Sequence, residues 1–159
     1  MEFQYDLLGE YEVSLDAKGR FRLPSGLLKN LGDRDTLKFV VNRGIGGCLT
    51  LYPKPVWNFI KRDVDALSEY NAKNLAYKRA FYAGASEVVP DSADRLLIPK
   101  RLLASAKAEK SLVLAARNDR IEIWAETVYD QLLENEPDDL GALAAEVFGQ
   151  TPDVPNLPF

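Results

Sequence analysis

The 159-residue sequence contains no histidine, a single cysteine and a single methionine. Without histidine it lacks the commonest metal ligand, the usual general base near neutral pH, and any Ser-His or Cys-His nucleophile pair. With Cys48 alone, no intrachain disulfide can form and a thiolate-rich metal site is excluded. Cys48 sits in Gly-Cys-Leu-Thr-Leu-Tyr, which reads as a strand, so a buried and unreactive thiol is expected. No apolar run approaches the roughly 18 residues of a membrane span. The opening Met-Glu-Phe-Gln-Tyr-Asp has neither the basic start nor the apolar stretch of a secretory signal, so a cytoplasmic chain with no membrane partner is expected. Enzymatic signals are weak too. Asp33/Asp35 and Asp63/Asp65 are ordinary acid pairs, and Gly44-Ile-Gly-Gly47 lacks the Lys-Ser/Thr that follows a phosphate-binding loop. Neither catalysis nor a cofactor is expected.

Acids outnumber bases, 24 to 20, and the formal net charge is −4. Its distribution matters more than its sum. Residues 134–153 hold Glu134, Glu136, Asp138, Asp139, Glu146 and Asp153 with no Lys or Arg. The first 133 residues therefore carry all 20 bases against 18 acids. A nucleic-acid partner is not excluded on this count.

One pattern occurs twice. Asp16-Ala-Lys-Gly-Arg20-Phe-Arg-Leu-Pro24 returns 75 positions later as Asp91-Ser-Ala-Asp-Arg95-Leu-Leu-Ile-Pro99. Around it the order of predicted elements repeats. Strands at 11–15 and 87–90 lead into turns, and strands at 21–23 and 95–98 follow. Pro24 and Pro99 open helices whose apolar positions, Leu27, Leu28 and Leu31 against Leu102, Leu103 and Ala106, match at the same offset. Strands at 36–41 and 111–115 then precede strands at 48–52 and 121–124. Helices follow, aligning Trp57 with Tyr129. Neither unit of roughly 45 residues can bury much core alone, so the two copies should pack together.

The expected organisation is a first repeat over 9–55, connecting helices over 56–84, a second repeat over 85–128, and C-terminal helices with an acidic, Pro-ended tail over 129–159. Residues 72–84 read as a helix between the copies. Leu140, Leu143, Ala144 and Val147 lie at helical spacing, and the closing Thr-Pro-Asp-Val-Pro-Asn-Leu-Pro-Phe reads as extended.

Within each motif the aspartate, Asp16 or Asp91, is expected to accept hydrogen bonds from turn amides, with Gly19 supplying the positive φ of the first turn. The arginines either pair with that carboxylate or bind a partner. Lys18, Arg20 and Arg22 lie within five residues, and period two puts Arg20 and Arg22 on one face. Such a face on a β-hairpin can approach DNA phosphates, since β-ribbons enter the major groove. The second copy keeps Arg95 but has Asp94 where the first has Gly19, and lacks equivalents of Lys18 and Arg22. One patch gives few phosphate contacts per chain, which favours an oligomer. Lys54, Lys61, Arg62, Lys73, Lys78 and Arg79 read as solvated helix faces. Arg43 and Arg117 read as partners of nearby acids, and Arg34, between two aspartates, is uninformative.

The segments GEYEVSLDAKGRFRLP, GGCLTLYP, AGASEV and DRIEIWAETVYDQLL, in this order from Gly9 to about Leu133, resemble the MraZ family of bacterial transcriptional regulators. The resemblance implies an α+β fold of the AbrB-like class. Two tandem β-β-α-β-β(-α) halves would form an intramolecular, pseudo-twofold, swapped-hairpin β-barrel with flanking helices. It implies a sequence-specific, nucleoid-associated DNA-binding protein that forms ring-shaped homo-oligomers. Such a protein represses its own division and cell-wall gene-cluster promoter through direct repeats on double-stranded DNA. The family's DNA-binding motif falls on Asp16, Lys18 and Arg20, and on Asp91 and Arg95. The alternative is an antitoxin-like or scaffolding module whose partner is held by the C-terminal segment.

Overall fold

The computed structural model describes residues 5–149, so the Pro-ended tail lies outside the described residues. The first copy contributes β1 (Leu7–Ser14), β2 (Arg20–Arg22), α1 (Ser25–Leu28), β3 (Phe39–Arg43) and β4 (Leu49–Pro53). Two helices follow, α2 (Lys54–Asp65) and α3 (Ala72–Tyr82). The second copy contributes β5 (Ser86–Val88), β6 (Arg95–Leu97), α4 (Lys100–Ser105), β7 (Ser111–Asn118) and β8 (Arg120–Ala125), with α5 (Glu126–Glu134) and α6 (Leu140–Gly149) after it. Contacts divide the chain into two compact units, Met1–Tyr129 and Asp130–Phe159, and α5 runs across the division.

The punctuation is that of proline and glycine. Pro24, Pro53 and Pro99 stand at the N-caps of α1, α2 and α4 in extended conformation. Proline suits a helix start because its missing N–H has no intrahelical acceptor there. α1 is shorter than the Leu27–Leu28–Leu31 spacing predicts, with single turns carrying the chain on to a buried Leu31 and Gly32 at φ 88°. The strand expected from Thr36 begins at Phe39, since Arg34–Thr36 forms a 3-10 turn capped by the Asp33 side chain.

The strands pair across the copies. One six-stranded sheet has the order β1-β7-β8-β4-β3-β5, and β2 and β6 form a separate two-stranded ribbon. All these pairings are antiparallel. β1 of the first copy lies on β7 of the second, and β5 of the second lies on β3 of the first. β4 pairs with β8, and β2 with β6. Exchanging the copies leaves this scheme unchanged. The expected local pairing of β1 with β2 does not form. Beyond the turn each finds its ladder in the other copy, and Leu15 donates to the Lys110 carbonyl rather than to β2. Nor does the hydrogen-bonding close into a barrel: β1 and β5 end the large sheet, and each three-residue ribbon strand is followed, one residue later, by a proline.

The main core draws on both copies. Phe21, Leu27, Phe39, Leu51, Leu96, Ile98, Leu102 and Leu114 are all buried in one cluster. A second cluster joins Cys48, Val113, Trp124 and Tyr129. Cys48 is buried as expected, and burial together with the nearby Glu122 carboxylate pushes its thiol pKa up to about 11. No helix among the described residues is long and apolar enough to cross a membrane.

Candidate nucleic-acid interface

Each Asp-x-x-x-Arg motif folds into the same turn. The Asp16 amide donates to the Arg20 carbonyl at 2.9 Å and the Asp91 amide to the Arg95 carbonyl at 2.9 Å. Asp16 Oδ1 accepts the backbone amides of Lys18 and Arg20, both at 2.9 Å, while its Oδ2 accepts Arg20 Nε at 2.7 Å. Asp91 repeats this on the Ala93 and Arg95 amides and on Arg95 Nε, all at 2.9 Å. The four-residue spacing thus lets one carboxylate satisfy two amides and orient one guanidinium. The backbone hydrogen bond from Arg20, joined by the Arg20 side chain, holds the Asp16 carboxyl below its ordinary value. Asp91 is lowered in the same way by Arg95. Of the alternatives open for the arginines, Nε of each is engaged with its own aspartate.

Position 19 has to turn left-handed. Gly19 does so at φ 88°, and a Cβ there would lie 3.2 Å from Leu103 Cδ1. In the second copy Asp94 takes the same role at φ 63° and pairs with Arg34, whose Nε donates to Oδ1 at 2.9 Å. Arg34 gave no signal in sequence because two neighbouring aspartates looked like its partners. Its real partner is 60 residues away.

The ribbon brings the two motifs together. Phe21 stands opposite Leu96, Arg20 opposite Leu97, and Arg22 opposite Arg95. Phe21 and Leu96 point into the core, so Arg20, Arg22, Arg95 and Leu97 share the outer face. The ends are sealed symmetrically: the Leu23 amide donates to the Asp94 carbonyl at 2.8 Å, and the Ile98 amide to the Gly19 carbonyl at 3.0 Å. Arg22 Nε reaches across to the Ala93 carbonyl at 3.0 Å. Sequence reading placed the two arginine sites on separate hairpins; the structure places them on one surface. Leu97, more than half exposed there, was not singled out beforehand.

The two copies contribute unevenly to the charge of this surface. Arg20 and Arg95 sit beside their own carboxylates. In sequence the first copy adds Lys18 and Arg22 where the second has Ala93 and Leu97. The antiparallel register, however, sets Arg22 beside Arg95 at the second-copy turn and leaves Lys18 and Arg20 at the first-copy turn with Leu97. An open groove of about 1120 Å3 beside Arg22 is lined by Lys29 and Arg34 but also by Glu10, Glu12 and Asp94.

The other basic residues have varied partners. Arg117 pairs with Glu122 at 3.2 Å, as expected, and Lys54 pairs with Glu87 at 3.1 Å. Arg43 departs from expectation, donating through Nη2 to the Ala80 carbonyl at 2.6 Å and meeting no acid among the described residues.

Two motif-bearing copies, tied together by an arginine-faced ribbon and cross-paired antiparallel strands, define a tandem-repeat α+β protein. The family model described as "MraZ protein, putative antitoxin-like" matches residues 7–79 and again 81–150. The chain belongs to the MraZ family. It is 41% identical over 145 residues to the "Transcriptional regulator MraZ" of Christiangramia forsetii, covering 91% of this chain and 94% of that one. The protein of the same name from Cytophaga hutchinsonii is 36% identical over 143 residues, covering 90% and 95%. That from Flavobacterium psychrophilum is 34% identical over 148 residues, covering 92% and 94%.

Proposed function

We propose that this chain is a cytoplasmic, nucleoid-associated DNA-binding transcriptional regulator that represses its own promoter through short direct repeats. The observation that carries this reading is the ribbon, which gathers Arg20, Arg22 and Arg95 from both copies on one exposed face. A two-stranded β-ribbon fits the major groove, and side chains of alternate residues then face the DNA. Lys18 and Arg22 neutralise phosphates, while Arg20, pre-aimed by Asp16, reads a base edge or a phosphate. The first copy leads, because it supplies both extra cations, Lys18 at its own turn and Arg22 beside Arg95 at the other. Asp16, Gly19 and Asp91 shape the turns and do not touch DNA. The cross-copy pairing supports a swapped-hairpin arrangement of the halves. One ribbon per subunit supplies few contacts, so a ring-shaped homo-oligomer would align several ribbons with repeated sites.

The test is fluorescence anisotropy with DNA from upstream of the protein's own gene against a shuffled duplex, over a salt series. Wild type should prefer the native duplex with a steep salt slope, and Arg20→Ala and Lys18→Ala should both weaken it. Lys18→Ala matters because the Lys18 side chain, unlike that of Arg20, does not anchor the turn. If Arg20 binds a guanine edge bidentately, its loss costs about 1–3 kcal/mol per site and relaxes specificity. Absence of any preference, or full binding by both variants in their normal oligomeric state, would move the function away from the ribbon.

A further inference from the structure

We propose that the outer face of α3 is the docking surface for the acidic C-terminal segment, residues 130–149, of a second copy of this chain. The inference rests on the self-assembly part of the function proposed above and names the surfaces that carry it.

α3 is pinned at its ends and rests on its inner side through the half-buried Leu75 and Lys78, but its outer face is uncovered. Asn71 caps it, its side chain accepting the Lys73 and Asn74 amides at 2.8 and 3.1 Å. At the other end Asn42 and Arg43 donate to the Phe81 and Ala80 carbonyls, both at 2.6 Å. Phe81 stacks on Trp57 of α2 with centroids 5.2 Å apart. Yet no residue of this 11-residue helix is buried. A helix of that length is marginal in water without an apolar face covered by something else. Lys73, Ala76, Tyr77 and Ala80 recur at helical spacing on one exposed face, with Tyr77 54% accessible. Lys73 and Arg79 are exposed on the outer side, Lys78 turns inward to the Asp65 carbonyl at 3.1 Å, and the helix carries no acid.

The opposite character is found in residues 130–149. Glu134, Glu136, Asp138, Asp139 and Glu146 face no base in that stretch, and all are exposed. They are interleaved with Leu132, Leu133, Leu140, Leu143 and Val147, which are exposed as well. Within α6 only Ala144 is buried. A basic face bearing an exposed aromatic ring and small side chains is thus matched in sign by an acidic segment bearing exposed leucines. Aliphatic side chains against Tyr77 would supply the apolar part of the contact, and the charges would set its register.

Because the two surfaces are different patches, the contact is head-to-tail. Contacts of this kind propagate from copy to copy and close into rings when the rotation allows.

The experiment is mass photometry and size-exclusion light scattering on the full-length chain over a concentration series. Lys73→Glu/Arg79→Glu reverses α3, and Glu136→Lys/Glu146→Lys reverses the segment, all four side chains being exposed. Each variant alone should raise the concentration needed for assembly by roughly tenfold or more. An equimolar mixture of the two should assemble again, each reversed surface meeting its reversed complement on a neighbour. Circular dichroism melts matching wild type confirm that the variants fold. Wild type that assembles while both variants assemble equally well would overturn the proposal and leave self-assembly standing. Folded variants whose mixture stays dissociated would also overturn it. A wild type that stays monomeric at every concentration would instead remove the self-assembly reading, and this inference with it.

Discussion

Arg22 and Arg95 stand directly opposite one another across the β2–β6 ribbon, two cations in one cross-strand pair. Like charges so placed repel. Arg95 is held by Asp91 and Arg22 donates to the Ala93 carbonyl, so each guanidinium is engaged on an acceptor of the second-copy turn. Arg22 occupies the position that the second copy fills with Leu97. Arg22→Leu therefore makes the ribbon symmetric. Its folding stability should stay level or rise by about 0.2–1 kcal/mol, the scale of one cross-strand pair. DNA affinity should fall at the same time, with the salt slope reduced by about one. Urea titration and anisotropy on the same sample check both halves. A parallel loss of stability and affinity would mean that Arg22 is there for the fold.

The motif aspartates make the turns sensitive to acid. The Asp16 carboxyl titrates below its ordinary 3.8 in the folded chain. A depressed value means that its stabilising contribution is complete above the unfolded value and is lost as pH falls through the lower, folded one. Wild type should lose stability on acidification below about pH 4. Asp16→Asn keeps an acceptor for the Lys18 and Arg20 amides but drops the ion pair. It should be less stable at neutral pH and show a flatter decline between pH 5 and pH 2. Thermal melts across that range read the slope; an unchanged slope in the variant would assign the acid sensitivity to other carboxylates.

The centre of the ribbon is a packing site. Leu96 is fully buried opposite Phe21, itself 1% exposed. Leu96→Ala should cost about 2–5 kcal/mol by denaturant unfolding, the usual range for a buried leucine. The loss should spread to both copies, because the core beneath the ribbon is shared. A single cooperative transition at lower denaturant is the expected form, and two separated transitions would contradict a common core.

The local features were legible in the sequence. The Asp-x-x-x-Arg spacing fixes a turn within five residues, and proline marks helix starts through its own backbone, so the repeat and both turns could be read directly. Helix α3 was expected over 72–84 and runs over Ala72–Tyr82, with Gly84 at φ 86° just past its end. Strand partners were not legible. Adjacency favoured β1 against β2, but an alternating strand such as Tyr11–Leu15 records which face is buried and says nothing of which neighbour lies alongside. The placement of Arg95 beside Arg22 therefore came only with the register of two strands about 75 residues apart. Arg34 and Asp94 were hidden for the same reason, an acid near in sequence masking a nearer one in space.

The pairing of β1 with β7 has a consequence for the birth of the molecule. Leu7 waits for Asn118, so the first strand emerges from the ribosome with nothing to lie on until most of the chain has been made. Contacts that span so much sequence also slow folding. A chain that stops before β6 has neither the ribbon nor the shared core. Any DNA-binding surface of this kind then exists in the cell only as a finished product, and message damage or stalled translation yields silence rather than a half-active competitor.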